Sequence, residues 1–156
     1  MKQLFIDIET TGLDANASIR EIGLVYYENK KKKWELDIKK NIYSTLISTL
    51  DGIVDKYNKN DKIWFIGYNA KFDADFIRRM FDQHKNVYFG SYFYVPYVDI
   101  MNLAAYKFMR NNKRLENFKL STVCKYFKIP IKESSLHTAL YDAKITYQLY
   151  QKLLKF

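Results

Sequence analysis

The stretch Lys2-Gln3-Leu4-Phe5-Ile6-Asp7-Ile8-Glu9-Thr10-Thr11-Gly12 decides how this chain folds. Leu4, Phe5, Ile6 and Ile8 form an apolar run that would bury both faces of a strand, and Thr10-Thr11-Gly12 ends it. A strand of that kind belongs at the centre of a covered sheet. Within it, Asp7 and Glu9 stand two positions apart and therefore point to one face. Ionised carboxylates among apolar side chains are costly unless paired or bound to a cation, and two on one face repel each other. The simpler reading is a strand that runs out into solvent at its end, and an isolated Asp-x-Glu favours that reading.

Outward from this strand, 19–27 reads as a second strand and 34–38 as a third, with Asn29-Lys30-Lys31-Lys32-Lys33 as a hairpin turn. Ile42, Leu46, Ile53 and Tyr57 recur at helical spacing, which predicts a helix over 41–57. A fourth strand follows at 63–67 and a helix at 71–83. An aromatic fifth strand is expected at 92–98, then a helix at 99–109 that Asp99 can cap. A short helix covers about 120–127 and the last one about 138–154. Three strands opening as hairpins, then strands alternating with helices, describe an α/β mixed sheet covered by helices, a single domain over 1–156.

Composition bounds the function. The chain has 156 residues, with 26 Lys+Arg against 17 Asp+Glu, for a net charge of +9 that points to a polyanionic partner such as nucleic acid. The hydrophobic fraction of 48% excludes a disordered chain. The single cysteine, Cys124, excludes a disulfide framework and a cysteine-based zinc site, and suits a reducing, cytoplasmic setting. The first residues turn acidic and polar too soon for a secretory signal, and no apolar run approaches the ~18 residues that span a membrane.

Two more clusters carry chemistry. In Gly67-Tyr68-Asn69-Ala70-Lys71-Phe72-Asp73, a strand gives way to a helix, which places Asp73 in a first turn near the carboxyl end of a strand, where open α/β sheets hold ligands. An acid there also suits the helix dipole without any further role. Asp75 reads as a solvated charge. In His137-Thr138-Ala139-Leu140-Tyr141-Asp142, the acid heads the partly core-facing row Ile145, Leu149 and needs a partner. Five residues turn a helix by about 500°, so His137 and Asp142 share a site only if His137 precedes the helix, with Thr138 as its cap. His84 reads as structural.

Together the three clusters closely resemble the DEDDh branch of the DnaQ-like 3′–5′ exonucleases, the family of the proofreading epsilon subunit of DNA polymerase III. Asp7-Ile8-Glu9-Thr10-Thr11-Gly12, Asn69-Ala70-Lys71-Phe72-Asp73, and His137 with Asp142 match the family motifs in order and separation. The helix Leu120 to Phe127 also looks like the family's lead-in to its third motif. Tyr68 departs from it, since many members carry histidine there. The resemblance implies a ribonuclease H-like fold and two Mg²⁺ or Mn²⁺ ions held by Asp7, Glu9, Asp73 and Asp142, with His137 as general base. It implies that Thr10, Thr11, Gly12 and Leu13 hold the 3′-terminal nucleotide, while Asn69 and Phe72 support the site. The implied substrate is a single-stranded 3′ end, DNA first and RNA as the alternative. A DNA polymerase is a further candidate partner, and would have to dock on the domain itself. A binding module without activity is disfavoured because all five catalytic positions are filled.

Among the basic surfaces, Lys30 to Lys33 reads as a solvated hairpin tip, and Arg110-Asn111-Asn112-Lys113-Arg114 as the stretch to contact a strand. Tyr92, Phe93, Tyr94 and Tyr97 are expected to pack rather than to stack on bases.

Overall fold

Lys2–Thr10 (β1) lies at the middle of a five-stranded sheet of order β3-β2-β1-β4-β5. The computed structural model describes residues 1–14 and 16–156, apart from the side chain of Glu133. Ile19–Glu28 (β2) pairs antiparallel with β1, and Lys31–Ile38 (β3) antiparallel with β2. Trp64–Gly67 (β4) runs parallel to β1, and Val98–Asp99 (β5) parallel to β4. The helices are Ile42–Asp51 (α1), Ala70–Gln83 (α2), the single turn Phe89–Tyr92 (α3), Ile100–Arg110 (α4), Leu120–Tyr126 (α5) and Ala139–Leu153 (α6). The expected α/β mixed sheet with flanking helices is what forms.

Strand alternation divides the core in two. Leu4, Ile6, Ile8, Ile22, Leu24 and Phe65 pack against α1, α2 and α3. Phe5, Val25, Tyr27 and Ile66 pack on the other face against α4, α5 and α6. Asp7 and Glu9 continue the Phe5 register, so the pleat directs both carboxylates to the α6 side. Gly23, opposite Asp7 in the ladder, makes room for that helix. A Cβ at Gly23 would stand 2.1 Å from the Ala139 carbonyl carbon, a distance no side chain can occupy.

Three expectations need correction. The strand predicted at 92–98 forms only at Val98–Asp99. Tyr92 ends the α3 turn, and Phe93 meets Ile63 in an isolated bridge. Pro96 has no N–H to donate, so a continuous ladder cannot cross it. The helix predicted over 41–57 stops at Asp51, where Gly52 follows and Val54 N–H folds back on Leu50 O. The hairpin is tighter than expected: Glu28 faces Lys31, leaving Asn29-Lys30 as a two-residue turn with φ of 50° and 66°. Lys32 and Lys33 therefore lie in β3 and pair with Glu35 and Glu28. Tyr92 and Phe93 are core residues, and Tyr94 stacks on Trp64 at 4.7 Å, so the packing reading of these aromatics holds. His84 is likewise structural, stacked on Tyr43 at 3.6 Å with Nδ1 against Met80 O. Among the described residues, no helix is long and apolar enough to cross a membrane.

Candidate active site

The end of the central strand β1 meets the first turns of α2 and α6. One side-chain donor atom from each of Glu9, His137 and Asp142 lies within 4.8 Å of the other two, a group able to hold a metal ion. Asp7 is held well above the usual carboxylate range, first by burial and then by the charges of Asp73, Asp142, Glu9 and Glu21. Those four carboxylates therefore surround it closely enough to act on it. Asp73 is 3% exposed and also shifted upward, mainly by burial. The Ile8 N–H, between Asp7 and Glu9, donates to Asp73 Oδ1 at 3.1 Å and partly offsets that shift. This bond locks the first turn of α2 against β1.

His137 stands before α6, as the rotation argument required, and its backbone lies in the left-handed region at φ 67°. Non-glycine residues adopt this conformation uncommonly, and such strain gathers at functional sites. The turn brings the His137 N–H to Asp142 Oδ2 at 3.3 Å and leaves the imidazole exposed. Asp142 is raised by burial, with the His137 N–H pulling the other way. Its second oxygen, Oδ1, is buried and has no hydrogen-bond partner among the described residues. A buried, orphaned carboxylate oxygen beside Glu9 fits the oxygen coordination of a hard divalent cation.

Of the remaining predicted residues, Thr10 to Leu13 follow Glu9 directly in the chain, and Asn69 and Phe72 stand at the start of α2. Thr10 Oγ1 donates to Gly12 O, and Thr11 exchanges bonds with Ser18, N–H to carbonyl at 2.9 Å and Ser18 N–H to Oγ1 at 3.0 Å. The tethered loop presents Leu13 at 83% exposure, an apolar side chain left in water. Asn69 also has a left-handed backbone, at φ 62°, and its N–H reaches Asp99 Oδ1. Asp99 caps α4 through Met101 and Asn102, as expected, and so ties the starts of α2 and α4 together. Phe72 is half-buried against Phe76, at 4.9 Å between ring centres. Asp75 is exposed and pairs with Lys71. Tyr68, the departure from the motif, donates its hydroxyl to Phe118 O and anchors the segment before α5. Asn69, Tyr68, Met101, Phe118, Leu120, His137 and Asp142 line a cleft of about 740 Å³.

Thr138 takes the N-cap position of α6 without capping it. Its hydroxyl bonds Ser135 O instead. The cap comes from Glu21, whose Oε1 accepts the Ala139 N–H at 2.8 Å. Glu21 lies directly across the ladder from Glu9, and its other oxygen pairs with Lys39 at 3.8 Å. Sequence reading missed Glu21 and Gly23. The signal was the Glu21-Ile22-Gly23 spacing, in which an acid and a glycine share one face of β2 beside the acids of β1.

The fold has known counterparts. No curated protein matches the chain by sequence. Cell-death related nuclease 4 superposes with a TM-score of 0.70 at 14% identity over 99% of this chain, which spans 64% of that protein's length. The nuclease domain of 3′hExo, a DEDDh family member bound to rAMP, gives 0.66 at 13% identity, covering 99% of this chain and 92% of the other. Exonuclease X, in complex with 5′ overhanging duplex DNA, gives 0.53 at 20% identity, covering 98% and 91%. The profile of the RNase_H superfamily matches residues 4–152. With nearly the whole chain matched and the central β1 carrying its acids toward α6, this protein belongs to the RNase_H superfamily.

Proposed function

We propose that the chain is a divalent-metal-dependent 3′–5′ exonuclease of the DEDDh type, releasing nucleoside monophosphates from single-stranded 3′ ends. The observation that carries this reading is the meeting of Glu9, His137 and Asp142 within 4.8 Å, with Asp142 Oδ1 buried and unpartnered among the described residues. Asp7, Glu9 and Asp142 would hold two Mg²⁺ or Mn²⁺ ions, with Asp73 contributing directly or through water. Bound there, paired divalent cations supply the positive charge that stabilises attacking and leaving oxygens.

The chain's own residues do the rest. His137, exposed on its turn, takes a proton from the attacking water as general base. Water adds across the P–O3′ bond, giving a nucleoside monophosphate and a new 3′-hydroxyl on the strand. The tethered Thr10–Leu13 loop positions the terminal nucleotide, with Leu13 against its base, while Asn69 and Phe72 support the site. DNA is the first substrate class. The rAMP bound to the 3′hExo domain favours RNA as the second reading, and the DNA bound to exonuclease X favours the first. Discrimination would rest on contacts to the 2′-hydroxyl.

Labelled single-stranded DNA, RNA and a mismatched primer-template, each with Mg²⁺ and with EDTA, test the reading. Degradation that EDTA abolishes is expected, with His137→Ala lowering kcat by about 10²–10⁴-fold. Parent-like rates in that variant would remove His137 from the role.

A further inference from the structure

The positive charge is unevenly distributed. Residues 100–156 hold 11 Lys+Arg and 3 Asp+Glu, a net +8, and residues 1–99 hold the other 15 and 14, a net +1. In the C-terminal part only Lys144 forms an ion pair among the described residues, with Glu35. Lys119, Lys125, Lys128 and Lys132 are all exposed around α5 and have no carboxylate partner among the described residues.

Two depressions meet over this helix. The active-site cleft contains Lys119 at its rim and reaches Ser121 and Leu136. A second groove of about 380 Å³ begins at those same two residues and continues past Thr122 to Lys125, Ile129 and Ile131. Its floor is apolar and its rim carries hydroxyls and a lysine. Among the described residues, the only acid lining either groove besides Asp142 is Glu116. Unpaired lysines along an apolar trough that starts beside His137 match a chain of phosphates carrying flat bases.

We infer that the nucleic-acid strand leaving the active site crosses α5 in this double groove, with Lys119 and Lys125 on successive phosphates. The inference rests on the exonuclease reading and extends it from the reacting end to the path of the strand. It also moves the footprint away from Lys113 and Arg114, which line neither groove.

The test uses Lys119→Ala/Lys125→Ala, with Lys30→Ala/Lys31→Ala on the hairpin as a variant of equal charge loss. Affinity for a fluorescent single-stranded oligonucleotide is measured in EDTA at several salt concentrations, and hydrolysis of the p-nitrophenyl ester of thymidine 5′-monophosphate with Mn²⁺. The groove variant should bind the oligonucleotide about tenfold more weakly, and the slope of log affinity against log salt should flatten by about 1.4, or ~0.7 for each phosphate no longer neutralised. Lys125→Ala alone, which lies in the second groove only, should hydrolyse the small ester within about twofold of the parent, because that substrate ends within the active-site cleft. Affinity and slope equal to those of the hairpin variant would overturn the inference, as would a larger loss of affinity in Lys113→Ala/Arg114→Ala. A parent that fails on the ester and on labelled strands alike would remove the exonuclease reading, while binding in EDTA would still decide the groove. Equal melting temperatures exclude misfolding as the cause.

Discussion

Asp7 concentrates the physics of this protein at one residue. Burial and four neighbouring carboxylates raise its affinity for protons above that of the unfolded chain. A carboxyl group with a raised folded-state pKa contributes stability that is present at acidic pH and lost as pH rises through that pKa. Near neutrality, without metal, the cluster therefore works against the fold. Asp7→Asn should raise the melting temperature of metal-free protein at pH 7–8, by about 2–4 °C for each kcal/mol recovered in a domain of this size. The gain should fade as pH approaches ~4, where unfolded carboxyl groups protonate. Added Mg²⁺ or Mn²⁺ should stabilise the parent and leave the variant unmoved, because a ligand that binds only the folded state stabilises it by mass action. Differential scanning fluorimetry checks both, and a lower metal-free melting temperature in the variant would show that Asp7 has a stabilising partner. The five motif residues were legible only together, through the order and separation in which they resemble a known family, because each cluster taken singly had a simpler reading. The strained turn of His137 was not legible, since no residue there announces a positive φ.

At the scale of elements, the site depends on how α6 seats against β2. Helix starts need acceptors for their free N–H groups, and here the acceptor comes from a strand 118 residues earlier in the chain. Glu21→Ala should destabilise the protein by about 0.5–2 kcal/mol, the usual range for a lost cap, and lower kcat by loosening Asp142 and His137 relative to Glu9. Glu21→Gln should restore both, because an amide oxygen still accepts the Ala139 N–H. If Gln fails as badly as Ala, the charge of Glu21 matters rather than its bond. Gly23→Ala is harsher: the methyl group would occupy the space of the Ala139 backbone, so chemical denaturation should show a loss of several kcal/mol, within the range of severe overpacking. Parent-like stability would mean that α6 can slide outward freely. Local pattern located this helix and most others within a residue or two. It misplaced the fifth strand and the end of the first helix, where Pro96 and Gly52 overruled an otherwise continuous apolar pattern. It was silent on Glu21 because the cap is a long-range contact.

Across the whole molecule, the charges divide by task. The basic surplus lies almost wholly in residues 100–156, while Asp7, Glu9, Glu21, Asp73 and Asp142 gather at the end of β1. Net charge alone pointed to a polyanion, and only the fold shows that Lys119, without a carboxylate partner among the described residues, lines the cleft that contains His137 and Asp142. The central claim concerns direction as well as chemistry. A single-stranded oligonucleotide labelled at its 5′ end, incubated with the protein and Mg²⁺, tests it most directly. The account predicts a ladder of progressively shorter labelled strands that EDTA suppresses. Immediate release of the label as a mononucleotide, or a strand left intact in the presence of Mg²⁺, would contradict it.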